Sequence, residues 1–407
     1  MASTLSGLLV LDMTRVVAGP LATQTLGDLG ADVIKIERRA EGDDVRRVGP
    51  PWLPDPSGTA TDESTYFLSV NRNKRSLTVD FTTAEGAELI RSIAAKADVF
   101  VENYRVGTLA KYGLGYEDLK AVNPRLVYCS VTGFGQSGPY SSRSGYDLLV
   151  QAMGGMMGVT GLPEGTPGSE PMRVGVPIAD ICTGLNATIG ILAALRHRDQ
   201  TGKGQHVDVC LLESQIAAML NPFSAWFNAG VQIKRTGNEH PSASPYGVYR
   251  ASDGYLLIAT FNDREFARLA DALGHGEWKT DPRFAKSGER VANRPVLADL
   301  LTAVLAKRTR DEWVELLNAA TVSCGPINDM KDIEKDPQIR AREVVVSVPH
   351  GLAGKVKVAA SPIRLSDSPV TYRHGPPLAG QDTEAVLGDV LGLGAAAIAD
   401  LRARDII

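Results

Sequence analysis

Several features that would point to other classes of protein are scarce or missing. The 407 residues hold four cysteines, Cys129, Cys182, Cys210 and Cys324, far apart and with no C-x-x-C pair. That excludes a zinc knuckle, a thioredoxin-type dithiol and a secreted disulfide framework, and predicts buried thiols in a reducing compartment. The six histidines show no metal-ligand spacing. Only His240, in the turn-rich Gly237-Asn-Glu-His-Pro-Ser, suits a mobile active-site loop. Charge of one sign is also lacking: 43 Lys plus Arg stand against 47 Asp plus Glu, without the basic excess that binding to nucleic acid requires. The opening MASTLSGLLVLDM has neither the basic stretch nor the long apolar core of a secretory leader, so a cytoplasmic location is expected. One long apolar run exists, the 22 residues from Val174 to Leu195 with Asp180 as the single charge. It is interrupted by Gly175, Pro177, Gly184 and Gly190, which favours a buried helix over a membrane span.

What is present reads as a globular α/β chain. At 43% hydrophobic and 22% charged residues the composition supports a sizeable core, and the length suits two or three domains or a large domain bearing a smaller one. Short β-branched runs alternate with helical patterns in the N-terminal half. Strands are expected at 8–13, 32–37, 76–81, 99–103 and 125–132, with a helix over 84–97. Such alternation implies a mostly parallel sheet with helices on both faces and ligands at the carboxyl ends of the strands. The loops after residues 13, 37, 81, 103 and 132 are therefore the place for a site. A long helical segment over 211–229 precedes a hairpin turned at Asp253-Gly254 and amphipathic helices near 264–273 and 296–317, a second, α+β domain. The Pro/Gly-rich PPWLPDPSGTA (50–60) reads as an exposed loop.

Three groups of residues bear on chemistry. Gly133-Phe-Gly135-Gln-Ser-Gly138 fits G-x-G-x-x-G after a strand. However, Pro139 follows where a phosphate-capping helix should run and no acidic residue stands about 20 positions on, so a tight loop is the better reading than a dinucleotide site. Asp180 is expensive to bury without a partner. It reads as a helix N-cap before an apolar run or as a nucleophile, and the two are compatible because a helix N-terminus favours the ionised carboxylate. Basic residues gather at the flagged loops, namely Arg15, Arg38-Arg39, Arg46-Arg47, Arg72 with Lys74-Arg75, Arg105 and Lys111. They suit phosphate groups or an ordinary solvated surface equally well.

The blocks at 11–44 (LDMTRVVAGPLATQTLGDLGADVIKIERRAEGDD), 71–81 (NRNKRSLTVDF), 97–119 (ADVFVENYRVGTLAKYGLGYEDL), 145–155 (GYDLLVQAMGG) and 178–209, in this order and spacing, resemble the class III CoA-transferases. This is the family of formyl-CoA transferase, carnitine CoA-transferase and alpha-methylacyl-CoA racemase. The resemblance implies a large Rossmann-like domain built from both chain ends (1–225, and 331–407 comprising a return linker and the C-terminal part). A small domain (226–330) completes each chain, and two chains interlock as a homodimer. It implies no permanently bound cofactor, no metal and no membrane or nucleic-acid partner; the substrates are an acyl-CoA thioester and a small carboxylic acid. Asp180 matches the catalytic aspartate, which forms a mixed anhydride and then an aspartyl-CoA thioester. Arg15, Val17 and Ala18 match the thioester end of the CoA site and Arg38 its nucleotide portion. Val79, Asp80 and Phe81 match an adenine-side segment, and Asn103, Tyr104, Arg105 and Lys111 the pantetheine and phosphate region. Tyr146 and Asp147 match positions beside the aspartate, and Gly237 and His240 fall on the substrate loop. Val17 replaces the glutamine of formyl-CoA transferase and the loop from Gly237 replaces its tetraglycine, which argues against oxalate. Tyr146 replaces the proton-exchanging histidine of the racemase. The GDDVRR and STYFLSVNRNKRS blocks resemble members that use succinyl-CoA with a dicarboxylate. A 2-methylacyl-CoA racemase, with His240 or Asp147 as base, is the alternative.

Overall fold

The computed structural model describes residues 3–407. It divides into a larger unit, comprising the chain up to Met156 with Val174–Leu220 and Ala341–Ile407, and a smaller one, comprising Met157–Arg173 with Asn221–Arg340. The segment from Met157 to Arg173 joins the smaller unit although nothing in its composition sets it apart.

The strands in chain order are β1 (Leu9–Met13), β2 (Asp32–Glu37), β3 (Trp52–Pro54), β4 (Ala60–Ser64), β5 (Lys74–Thr78), β6 (Val99–Glu102), β7 (Val127–Thr132) and β8 (His206–Cys210), followed by β9 (Tyr246–Arg250), β10 (Tyr255–Ala259), β11 (Ser323–Pro326), β12 (Val345–His350) and β13 (Gly354–Ala359). Six of them form one parallel sheet in the order β5-β2-β1-β6-β7-β8. Successive residues along a strand face opposite ways, and the two cores follow from that. Leu11, Met13, Ile34, Ile36 and Phe100 join Ile90, Ile93, Val386, Leu387 and Ile398 on one side. Val10, Val33, Val99 and Val101 join Ala22, Leu26, Ala187, Ile191 and Ala194 on the other. The C-terminal helices Thr383–Leu391 and Ala395–Ala403 thus cover a sheet begun by the N-terminus. The apolar helix Ile178–Thr201 is long enough to cross a membrane by length and composition, yet Ala187, Ile191, Ala194 and Leu195 lie in the second core.

The smaller unit packs the antiparallel sheet β11-β10-β9 against helices through Leu256, Ile258, Phe266, Trp278, Phe284 and Trp313. Its hairpin closes where Ala251 N donates to Gly254 O.

Three expectations need correction. The 50–60 stretch is no simple loop: β3 and β4 pair antiparallel around a turn in which Asp55 Oδ1 accepts from the Ser57 and Thr59 amides, and an isolated two-strand ribbon tolerates its prolines. The segment 211–229 is two helices, Leu211–Ala217 and Leu220–Ala229, broken where Leu220 takes φ 38 just ahead of Pro222. Finally, three of the clustered cations are core ions rather than phosphate ligands. Lys74 Nζ meets Asp12 Oδ2 at 3.0 Å, Arg46 Nε meets Glu37 Oε2 at 2.7 Å and Arg72 Nε meets Asp28 Oδ1 at 2.9 Å, all buried.

Removing one partner of a buried pair leaves the other uncompensated. Lys74→Met should therefore lower stability by about 3–5 kcal/mol in urea denaturation. A loss under about 1 kcal/mol would show that Thr14, Thr23 and Lys35 hold Asp12 without it.

Candidate active site

Chain order places the site. From β1 the sheet grows outward through β2 to β5, and the chain then returns to lay β6 on the other flank of β1. The loops leaving β1 and β6 diverge, opening a crevice at their carboxyl ends. Asn103 ties the two loops together: its Oδ1 accepts Arg15 N at 2.9 Å and its Nδ2 donates to Arg15 O at 2.7 Å. The next residue, Val16, adopts φ 71, a left-handed conformation that is a steric outlier for a β-branched side chain. Asp43 Oδ1 accepts its amide at 3.1 Å, and the fully buried Lys35 joins Asp43 at 2.8 Å and Thr14 O at 2.9 Å.

Asp180 is not the N-cap. Helix Ile178–Thr201 begins after Pro177, which has no capping side chain, and Asp180 is its third residue. The cap comes from elsewhere: Asp147 Oδ1 accepts the amides of Ala179 at 2.7 Å and Asp180 at 3.4 Å. Asp147 is held in turn by Gln151 Nε2 at 2.6 Å, while Gln151 Oε1 accepts Val174 N at 2.9 Å. Burial, and secondarily the negative charge of Asp147, push the Asp180 carboxyl up to about 7. Tyr66 stands near the same pair, its phenol pushed up by burial and then by Asp180 and Asp147.

One cavity of about 260 Å³ opens at this crevice. The loops after β1 and β6 bring Arg15, Val17, Ala18, Asn103, Tyr104 and Arg105 to its wall, and Tyr146 and Asp180 complete the set of expected residues found there. Arg15 pairs with Asp44 at 2.8 Å and lies over the Tyr104 ring at 4.9 Å; Arg105 Nε donates to Ser144 Oγ at 3.0 Å. The Gly133 loop also lines the cavity. A methyl group on Gly133 would meet Gly145 Cα at 2.5 Å, so the glycines there serve close backbone approach.

Other expected residues stand away from the wall. Arg38 pairs with Asp44 and Glu41. Val79 and Phe81 are buried in the first core, Asp80 accepts from Thr82 in the turn before helix Ala84–Ala94, and Lys111 sits in the short helix Leu109–Tyr112. Asp147 acts behind Asp180. Gly237 and His240 belong to the smaller unit, where His240 stacks on Tyr246 at 5.0 Å and its Nδ1 accepts Ser242 N. Tyr66, Asp44 and Arg143 carry no sequence motif of their own; only their neighbourhood in the GDDVRR, STYFLSVN and post-β7 segments could have pointed to them. Among the described residues no group of three His, Cys, Asp or Glu side chains could hold a metal ion.

A parallel α/β sheet with a half-buried carboxylate of raised pKa in its switch-point cleft is the setting in which enzymes place carboxylate chemistry. A model of CoA-transferase family III matches residues 5–383. A succinate–glutarate CoA-transferase of Agrobacterium fabrum is 40% identical over 95% of this chain and 95% of its own length. A succinyl-CoA:glutarate CoA-transferase of Mus musculus is 40% identical over 99% of this chain and 90% of its own. The crystal structure of a CAIB/BAIF family protein from Brucella suis superposes with a TM-score of 0.86 at 44% identity, covering 96% of this chain and all of that one. The chain belongs to CoA-transferase family III and is an enzyme that transfers CoA.

The raised pKa has a stability consequence. A carboxyl whose folded pKa lies above its unfolded value of 3.8 contributes stability at low pH that is lost as pH rises toward about 7. Asp180→Asn should therefore melt at a higher temperature than wild type near pH 8, with the gap closing near pH 4; calorimetry showing no gap near pH 8 would contradict the buried-charge picture. Asp147→Asn removes the secondary cause only. The Asp180 carboxyl, followed by 13C NMR, should then titrate at lower pH yet stay above the usual carboxylate range, and an upward shift would contradict the assigned repulsion.

Proposed function

We propose that the protein moves CoA from an acyl-CoA donor, succinyl-CoA foremost, to a small dicarboxylic acid through covalent intermediates on Asp180. The observation that carries this is a half-buried carboxylate at the wall of the cavity that, unlike Asp44, is in no ion pair among the described residues, its helix capped from behind by Asp147 so that its own oxygens are left to react. A carboxylate kept basic by burial is a better nucleophile than one in water. Asp180 attacks the thioester carbonyl and CoA thiolate leaves, giving a mixed anhydride. The thiolate then attacks the Asp180 carbonyl, releasing the donor acid and leaving an aspartyl-CoA thioester. The acceptor carboxylate reverses both steps. The thioester's energy is retained if water stays out. Val17 and Ala18 open the helix Ala18–Asp28, whose first amides have no intrahelical partner and suit the oxyanion of each addition. Arg15, Asn103, Tyr104 and Arg105 hold the CoA chain. The curated relatives act, by name, on succinyl-CoA and glutarate, which supports the dicarboxylate. Leu185 and Ile189 of helix Ile178–Thr201 stand 50% and 64% exposed, which supports coverage by a second copy in a homodimer. A cytoplasmic location accords with the reduced cysteines.

Incubation in D2O with succinyl-CoA and a panel of dicarboxylates, and separately with a 2-methylacyl-CoA, followed by mass spectrometry of every CoA ester, tests this. A new acceptor thioester without α-deuterium is expected, and Asp180→Ala should retain less than about 1% of the rate. Deuterium entering the α-carbon of a 2-methylacyl-CoA with no new thioester would overturn transfer in favour of racemization.

A further inference from the structure

The cavity wall carries three arginines, and they differ in what already occupies them. Arg15 is neutralised by Asp44 at 2.8 Å. Arg105 is tied to the neutral Ser144 Oγ and stands where the CoA phosphates are proposed to run. Arg143 has no acceptor for its guanidinium among the described residues; its cation lies over the ring of Tyr140 at 4.5 Å and beside that of Phe134 at 5.3 Å. Ring contacts of this kind hold the planar fork in place without occupying its N–H groups. An oriented, unpaired guanidinium in the same cavity as Asp180 is a bidentate receptor for a carboxylate.

We propose that Arg143 binds the distal carboxylate of the dicarboxylate and so sets the enzyme's preference for diacids over monoacids. This rests on the dicarboxylate reading above. The acyl group of the donor and the acceptor acid reach the same Asp180 in turn, so the same fork must serve the free carboxylate of succinyl-CoA. A monocarboxylate acceptor and an acyl-CoA without a second carboxylate have nothing to place there. Arg143 is exposed and outside both cores, so its replacement leaves the packing of the fold alone.

Steady-state kinetics of wild type, Arg143→Gln and Arg143→Lys test the assignment with glutarate against butyrate as acceptors and succinyl-CoA against butyryl-CoA as donors, beside the Kd of free CoA. A charge-assisted bidentate contact predicts that Arg143→Gln raises KM for glutarate and for succinyl-CoA by about 10- to 100-fold. Both should rise at least about tenfold further than the butyrate and butyryl-CoA values, with Arg143→Lys recovering part of the loss. Weakening of free CoA to the same extent would assign Arg143 to a phosphate instead. Unchanged discrimination between diacid and monoacid would overturn the role of Arg143 alone. A wild-type enzyme that transfers CoA only to monoacids would overturn the dicarboxylate reading and this inference with it.

Discussion

Lys35 has no exposed side-chain surface, and the loop that lines the same cavity as Asp180 is built on it. Its ammonium spans Asp43 and the carbonyl of Thr14, Asp43 passes the constraint to the amide of Val16, and Asn103 closes the other side on Arg15. The neighbouring charges are just as buried. Burial pushes the carboxyl of Asp12 up, yet Lys74, Lys35 and two hydroxyls bring it down to about 2, and Glu37 is brought to about 2 by Arg46 and Lys35 in the same way. Ions in a core are weak evidence for stability, since well-packed apolar residues often serve as well. Here they do something that an apolar core could not: they fix polar backbone atoms of a loop that leaves Val16 in a disfavoured conformation, at the mouth of the cavity.

A second constraint acts on Asp180. Its helix starts at a proline with no side chain to cap it, so the cap must come from another element, and a carboxylate is the strongest acceptor available. Asp147 supplies it, and by standing close raises the affinity of Asp180 for a proton. One residue thus orders the helix N-terminus and tunes the carboxyl that the helix presents, while the positive end of the helix dipole still favours the ionised form.

The strands of the main sheet are readable because LVLDM, DVIKIE and VFVE are short, mostly apolar runs, and their alternation with helices locates the crevice from the sequence alone. The break at Leu220 and the hairpin at 52–64 were hidden, since apolar periodicity does not report a single positive φ and proline-rich stretches imitate loops. Asp180 was legible as an oddity in an apolar run, but its partner was not: the cap lies 33 residues upstream, a separation at which local signals such as a capping box are silent. The basic residues were harder still. Composition could not say that Arg46, Arg72 and Lys74 are consumed by buried carboxylates while Arg143 is left free, because that division depends on which strands become neighbours.

Oxygen tracing reaches the covalent role of Asp180 most directly. If the acceptor acid attacks an aspartyl-CoA thioester and CoA then leaves Asp180 for the acceptor's carbonyl, one carboxylate oxygen of the acceptor must stay on the protein after each turnover. The tryptic fragment from Val174 to Arg196 contains Asp180 as its single acidic side chain. Turnover with succinyl-CoA and carboxyl-18O glutarate should therefore bring one 18O into this peptide per turnover, up to both oxygens of Asp180 as turnovers accumulate, only when both substrates are present, with label appearing in succinate from the second turnover on. Label that fails to enter this peptide while glutaryl-CoA accumulates would contradict the account and require CoA to pass without a bond to Asp180.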